Sequence, residues 1–216
     1  MGRERPQLVL PARINLGALA AVSAFASKDK DRHALNGVCL EIEPRAVTYV
    51  ATDGHKLIAH RETTTKPDPE NDLIGAFTIP SEQCREHKFK KGEPAYAILF
   101  GSAERLTLEY MGLGLCFSPI GEEFPDWRRI LPQMPLSLKL AQYDAVYLAA
   151  FSKFSETMKF GPHFFVGHNG EAPGLIRFFG APDTVGVIMP HKATDESERP
   201  HPEWAEPKPF MRQAAE

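Results

Sequence analysis

Apolar and polar residues along this chain follow two rhythms, and these alternate three times in the same order. An extended apolar segment comes first, then apolar residues at helical spacing, then segments in which apolar and polar residues alternate between tight turns. In the first unit, LVLP at 8–11 precedes INLGALAAVSAFAS, where Leu16, Leu19, Ala20 and Phe25 recur near helical spacing. Strands are predicted at 38–43 and 46–52, with Val38, Leu40 and Ile42 on one side. The second unit opens with AFTIP, where Ser81 can cap a helix over EQCREHKF, and continues with AYAILF, RLTLEY and LGLCFSPI. Leu106, Leu108 and Tyr110 alternate with Thr107 and Glu109, the pattern of a half-buried strand. The third unit starts at LSLKL, has its helix in AQYDAVYLAAFSKFSETM, and closes with HFFVGHN, GLIRFF and TVGVIMP. Three strand-helix-strands units predict an α+β architecture and an internal repeat.

Proline and charge mark the joints. TTTKPDPENDL separates the first two units and GEEFPDWRRILPQMP the last two, both suited to exposed connectors. The second is the predicted domain boundary. It divides a two-unit domain at 1–133, connector included, from a half domain at 134–192. The remainder, 193–216, is rich in proline and charge with few aliphatic residues, and is predicted to be disordered.

Composition narrows the class. With 216 residues, 43% hydrophobic and 25% charged, the chain suits a soluble globular protein. No apolar run approaches the roughly 18 residues of a membrane span, and MGRERPQ lacks the apolar stretch of a signal peptide, so a cytoplasmic protein is expected. Cys39, Cys84 and Cys116 are odd in number and lack CxxC spacing, which reads as reduced packing residues. The net charge of −3 supplies no global field toward nucleic acid, so contact with DNA must come from local patches.

Three strings carry a family resemblance. RHALNGVCLEIE followed by YVATDGHKLIAHRE is similar to the middle domain of the bacterial DNA polymerase sliding clamp, the beta subunit of DNA polymerase III. FPDWRRILP resembles the clamp's connector from its middle to its last domain, and GVIMP its closing strand. They occur in clamp order, over roughly 8–190, in a chain that resembles the middle domain and half of the last. Asp53-Gly54 independently reads as a hairpin turn, since Gly54 tolerates positive φ. In the family, three domains of two units per chain, in two chains, close a ring whose helices line the DNA hole.

The resemblance implies a hydrophobic groove for partner peptides. Leu57, Pro125, Arg129, Ile130, Val187, Met189 and Pro190 stand at its positions, with Thr52, Gly54, His55 and Lys56 as its rim. Read without the family, Leu57, Ile130, Val187 and Met189 are ordinary core residues joining two units. His33 and Ala34 depart from the family, which usually has aromatic residues there. PQLVLP near the start resembles the peptides clamps bind, but its place as a first strand is the more economical account.

For double-stranded DNA, basic residues on or beside the helices are the candidates for non-specific phosphate contacts: Lys28, Lys30, Arg32, Arg85, Lys88, Lys90, Lys91, Lys153 and Lys159. Asp29, Asp31, Glu82, Glu86 and Glu156 lie among them, so a solvated helix face is the competing account. Catalysis is not indicated: there is no Walker loop, GxSxG elbow or HExxH, and GLG at 112–114 lies in strand-like sequence. His163 and His168 sit five apart in a predicted strand, on opposite faces, which disfavours joint metal binding. No cofactor is expected.

The reading is therefore a clamp-like processivity or recruitment factor. Its expected partners are DNA polymerase or other clamp-binding replication and repair proteins, double-stranded DNA, and further copies of itself as a dimer or tetramer. The alternative is an adaptor or decoy that binds clamp partners without encircling DNA.

Overall fold

The structure is a computed structural model and describes residues 12–63, 73–85 and 95–191. The strand expected at 8–11, most of the second helix, the first connector, the tail, and Lys88, Lys90 and Lys91 lie outside the described residues.

The first unit comprises β1 (Ala12–Asn15), α1 (Leu16–Val22), β2 (Gly37–Glu43), β3 (Ala46–Thr52) and β4 (Lys56–Thr63). The second contributes β5 (Gly75–Pro80), β6 (Tyr96–Gly101), β7 (Leu106–Tyr110) and β8 (Leu113–Phe117), and the third α2 (Ala145–Met158), β9 (Phe164–Gly167), β10 (Gly174–Phe178) and β11 (Thr184–Ile188). The α+β expectation is met.

Two boundaries differ from the expectation. The first helix does not begin near Ile14, because Asn15 caps it: the Asn15 side chain accepts from the backbone N–H of Gly17 at 2.9 Å and of Ala18 at 3.2 Å. Ile14 instead lies in β1, fully buried opposite Ala97. Nor does LSLKL form a strand. Its alternation is right for one, but a strand needs a neighbouring strand for its backbone hydrogen bonds, and here, among the described residues, those of the segment go to the turn after β9: Ser137 N donates to Asn169 Oδ1 and Gly170 N to the carbonyl of Lys139.

A four-stranded sheet has the order β1-β6-β7-β8, and a seven-stranded sheet the order β5-β2-β3-β4-β11-β10-β9. The first two units exchange their first strands. β1 pairs with β6 of the second unit, while β5 crosses to pair with β2 of the first. β4 pairs antiparallel with β11, which makes the first and third units one continuous sheet.

Both helices pack on one face of that sheet. Phe25, in the turn after α1, lies 5.0 Å from Phe151 and 6.0 Å from Phe154 of α2, ring centre to ring centre. The large core between sheets and helices takes Leu16, Leu19, Leu40, Ile58, Phe151 and Ile188. Strand alternation sends the intervening side chains to the other face. There Cys39, Val50, Leu57, Ala59 and Val187 form a second small core, roofed by Phe124, Trp127 and Leu131 of the second connector.

Candidate functional site

The hairpin between β3 and β4 is built by its own side chains. Thr52 Oγ1 donates to the carbonyl of Lys56 at 2.8 Å and accepts from Gly54 N at 3.0 Å. Asp53 Oδ1 accepts from the backbone N–H of both His55 and Lys56 at 2.9 Å, and its carboxylate pairs with the Lys56 ammonium. Burial opposes ionisation of Asp53, but the hydrogen bonds from Lys56 and His55 together outweigh it and hold the carboxyl below its ordinary value. Gly54 takes a φ of 91°, and a Cβ there would strike the Arg32 guanidinium, which donates to the carbonyl of Asp53 at 2.9 Å.

From this hairpin β4 runs beside β11, placing Leu57 opposite Val187 and Lys56 opposite Ile188. Met189 N extends the contact by donating to the carbonyl of His55 at 2.8 Å. Leu57 and Val187 are each only 1% exposed, covered by the connector. Met189 is 37% and Ile130 41% exposed; Pro190 is half-buried, and Pro125 and Arg129 are exposed. Arg129 pairs with Asp126 at 3.2 Å. Of the candidate groove residues, Leu57 and Val187 are thus sealed beneath the connector, whereas Met189 and Ile130 are accessible.

Two of the expected rim residues turn the other way. The Lys56 ammonium sits 5.7 Å from the centre of the Phe25 ring and 5.5 Å from that of Tyr147, and His55 stacks on Tyr147 at 5.6 Å. Both side chains therefore meet the helix layer: Lys56 because it alternates with Leu57 along the strand, and His55 from the turn that precedes it. Thr52 is buried, its hydroxyl spent on the turn.

The connector is fastened by residues that sequence reasoning did not single out. Glu41 on β2 accepts from Trp127 Nε1 at 2.9 Å and from Arg128 Nη1 and Nη2 at 2.8 and 2.6 Å. The Arg128 guanidinium holds the Glu41 carboxyl below its ordinary value, aided by Trp127 and resisted by burial. A tryptophan inside a charged, proline-rich connector was the available signal, since burying an indole there requires a partner for its N–H. Beside this anchor a cleft of about 470 Å³ opens, lined by residues including Cys39, Glu41, Phe77, Thr78, Phe124 and Trp127.

Of the candidate DNA contacts within the described residues, Lys28, Lys30 and Arg32 are exposed in the loop after α1, and Lys153 is exposed on α2. Lys159 ends α2 in a left-handed conformation with φ of 58°. Arg85 is engaged, donating to Ser23 Oγ at 2.9 Å and to its carbonyl at 2.8 Å. Lys153 thus sits on α2, which packs on the face of the seven-stranded sheet opposite Leu57 and Val187, whereas Arg32 is bonded to the β3–β4 hairpin itself. Among the described residues, no cluster of three or more His, Cys, Asp or Glu could hold a metal ion, and no helix is long and apolar enough to cross a membrane.

No family model matches the chain. A beta sliding clamp from Chlamydia muridarum is 27% identical over 128 residues, which cover 58% of this chain and only 34% of that clamp. Solved sliding clamps share the fold. The clamp of Bartonella birtlesii, solved bound to griselimycin, superposes with a TM-score of 0.67 at 14% identity, covering 89% of this chain and 69% of that one. The clamp of Bacillus subtilis gives 0.66 at 16% identity over 89% of this chain and 67% of its own. The DNA polymerase III beta subunit of Thermotoga maritima gives 0.66 at 13% over 90% and 68%. The resemblance read from the three sequence strings is thus found independently in sequence and in fold.

Proposed function

We propose that this chain, which has the sliding-clamp fold in reduced form, is a non-enzymatic processivity or recruitment factor in DNA replication or repair. It acts in the cytoplasm, seating hydrophobic peptides of polymerases and other clamp-binding proteins in the groove along β4, β11 and the connector. Lys153 on α2, on the face away from the groove, the exposed Lys28, Lys30 and Arg32, and the sequence candidates Lys88, Lys90 and Lys91 attract double-stranded DNA without reading its sequence. In this reading 1–133 forms a two-unit domain and 134–192 a half domain.

The observation that carries the reading is the register of Leu57 against Val187, with Met189 two residues beyond Val187 in the chain and Ile130 beside Leu131 of the connector, both exposed. An adaptable methionine beside a sealed apolar floor suits a site that accepts related hydrophobic peptides. The test is fluorescence anisotropy with a labelled hydrophobic clamp-binding peptide. Met189→Ala, Ile130→Ala and their combination should weaken binding, the combination by about 2 kcal/mol if both side chains are central anchors. Unchanged affinity in the folded double variant removes the groove assignment.

A further inference from the structure

The first two units show how a unit of this fold is completed. Each sends its first strand to the other: β5 lies along the edge of β2, with Phe77 opposite Leu40 and Ile79 opposite Val38, while β1 lies along β6. The third unit has neither half of this exchange. Its β9, which follows the helix as β2 follows α1, is the terminal strand of the seven-stranded sheet, with β10 on one side and no strand on the other among the described residues. Its own first segment, 136–140, comes shortly before the α2 cap at Asp144, as β1 precedes α1, and it pairs with no strand among the described residues.

That segment has the makings of a strand. LSLKL alternates strictly, yet Leu138 and Leu140 are 78% and 87% exposed, and Leu138 adopts a φ of 59°, which is unusual for leucine. The Tyr143 hydroxyl, just beyond it, is buried with no hydrogen-bond partner among the described residues. Across the free edge, Phe164 and Val166 of β9 pack only partly buried against the main core.

We infer that two copies of this chain complete each other's third unit by reciprocal strand exchange, the 136–140 segment of each pairing with the β9 edge of the other. One symmetric contact satisfies both deficits, because the donor segment and the acceptor edge belong to the same unit. In the pair, Leu138 and Leu140 lie alongside Phe164 and Val166 as Phe77 and Ile79 lie alongside Leu40 and Val38. The backbone groups on the β9 edge, otherwise a template for uncontrolled pairing, are consumed.

The rest of the chain is a poor substitute as occupant. Residues 192–216 include Pro200, Pro202, Pro207 and Pro209, each without a backbone donor, and 64–72 and 86–94 are dominated by proline and charge. Residues 1–11 lead directly into β1, which is already committed to β6. The inference is independent of the peptide groove, which lies on the face of β4 and β11 rather than at the β9 edge.

The test uses the full chain in sedimentation equilibrium across a concentration series. The wild type is expected to form dimers, or higher species built from them, and Leu138→Lys with Leu140→Lys to raise the dissociation constant at least tenfold without altering circular dichroism or melting. Both leucines face solvent within one chain, so the variant leaves the monomer's folding intact. A second measurement fixes the geometry. In a Cys116→Ser background, a tagged Lys139→Cys chain is mixed with an untagged Phe165→Cys chain, since both positions alternate to the face away from Leu138, Leu140, Phe164 and Val166, and oxidation should yield the mixed disulfide-linked dimer. A wild type that stays monomeric throughout, or association that survives the double lysine variant with no mixed crosslink, overturns the exchange.

Discussion

Trp127 and Glu41 lie 86 residues apart in sequence, yet the indole Nε1 donates to the Glu41 carboxylate at 2.9 Å, closing the connector over Leu57 and Val187. Arg128 grips the same carboxylate through both of its terminal nitrogens. The floor of the candidate groove is therefore shaped by one acidic residue on β2.

Glu41→Gln should loosen the connector. The Arg128 guanidinium is half exposed, so solvent screening limits the loss to about 1 kcal/mol. Because the folded-state value of Glu41 lies below the ordinary 4.5, its contribution is fully present above that pH and is lost as pH falls through the folded value. Thermal melts should show the wild type more stable than Glu41→Gln at pH 7, with the gap narrowing as pH falls through the folded-state value of Glu41. A gap that does not narrow on acidification contradicts the assignment.

The three cysteines should separate by reactivity. Burial pushes the Cys39 and Cys84 thiols up to about 12, whereas exposed Cys116 accepts from Arg105 Nε at 2.9 Å, which holds its thiol below the usual range. Titration with a chromogenic disulfide reagent at pH 7.5 should report a single fast thiol in the folded chain and all three after denaturation. Arg105→Ala should slow the fast phase, since less thiolate is present at that pH.

Phe151 sets a limit on how the third helix can be probed. It is fully buried against Phe25, Phe164 and Phe178, so Phe151→Asp is a core lesion and not a test of association. It should cost at least 3–5 kcal/mol, on the order of Phe→Ala in a core with the burial of a charge added. Urea unfolding measures this. A midpoint close to that of the wild type would mean that α2 does not pack on α1.

Binding to double-stranded DNA should be weak, indifferent to sequence and steeply dependent on salt. Replacing Lys28, Lys30 and Lys153 by glutamine should reduce the slope of log K against log salt by about 0.9 for each phosphate contact removed. Filter binding between 50 and 200 mM salt, on two unrelated duplexes, gives the comparison. A slope unchanged by the substitutions places the DNA contact elsewhere on the chain, and a preference for one duplex contradicts non-specific binding.

Periodicity and turn chemistry are local, and what they control was legible from sequence: the order of three units, the α+β class, the Asp53-Gly54 hairpin, and the strings that resemble the sliding clamp. The Asn15 cap is equally local: it sets the start of α1 at Leu16, where apolar spacing alone carries the helix back to Ile14. Other properties depended on which strands become neighbours. LSLKL has the alternation of a strand and forms none, because strand formation needs an edge to pair with and sequence says nothing of whether one is offered. Lys56 and Leu57 were read as parts of one groove, but pairing of β4 with β11 sends one side chain toward Phe25 and Tyr147 and the other beneath Trp127. The Glu41 anchor joins residues whose proximity comes entirely from the chain's return across the sheet. Local patterns determine what each segment can become, whereas burial and hydrogen-bond partners are supplied by distant segments, so the faces, the sealed floor and the unfilled β9 edge were decided only by the tertiary structure.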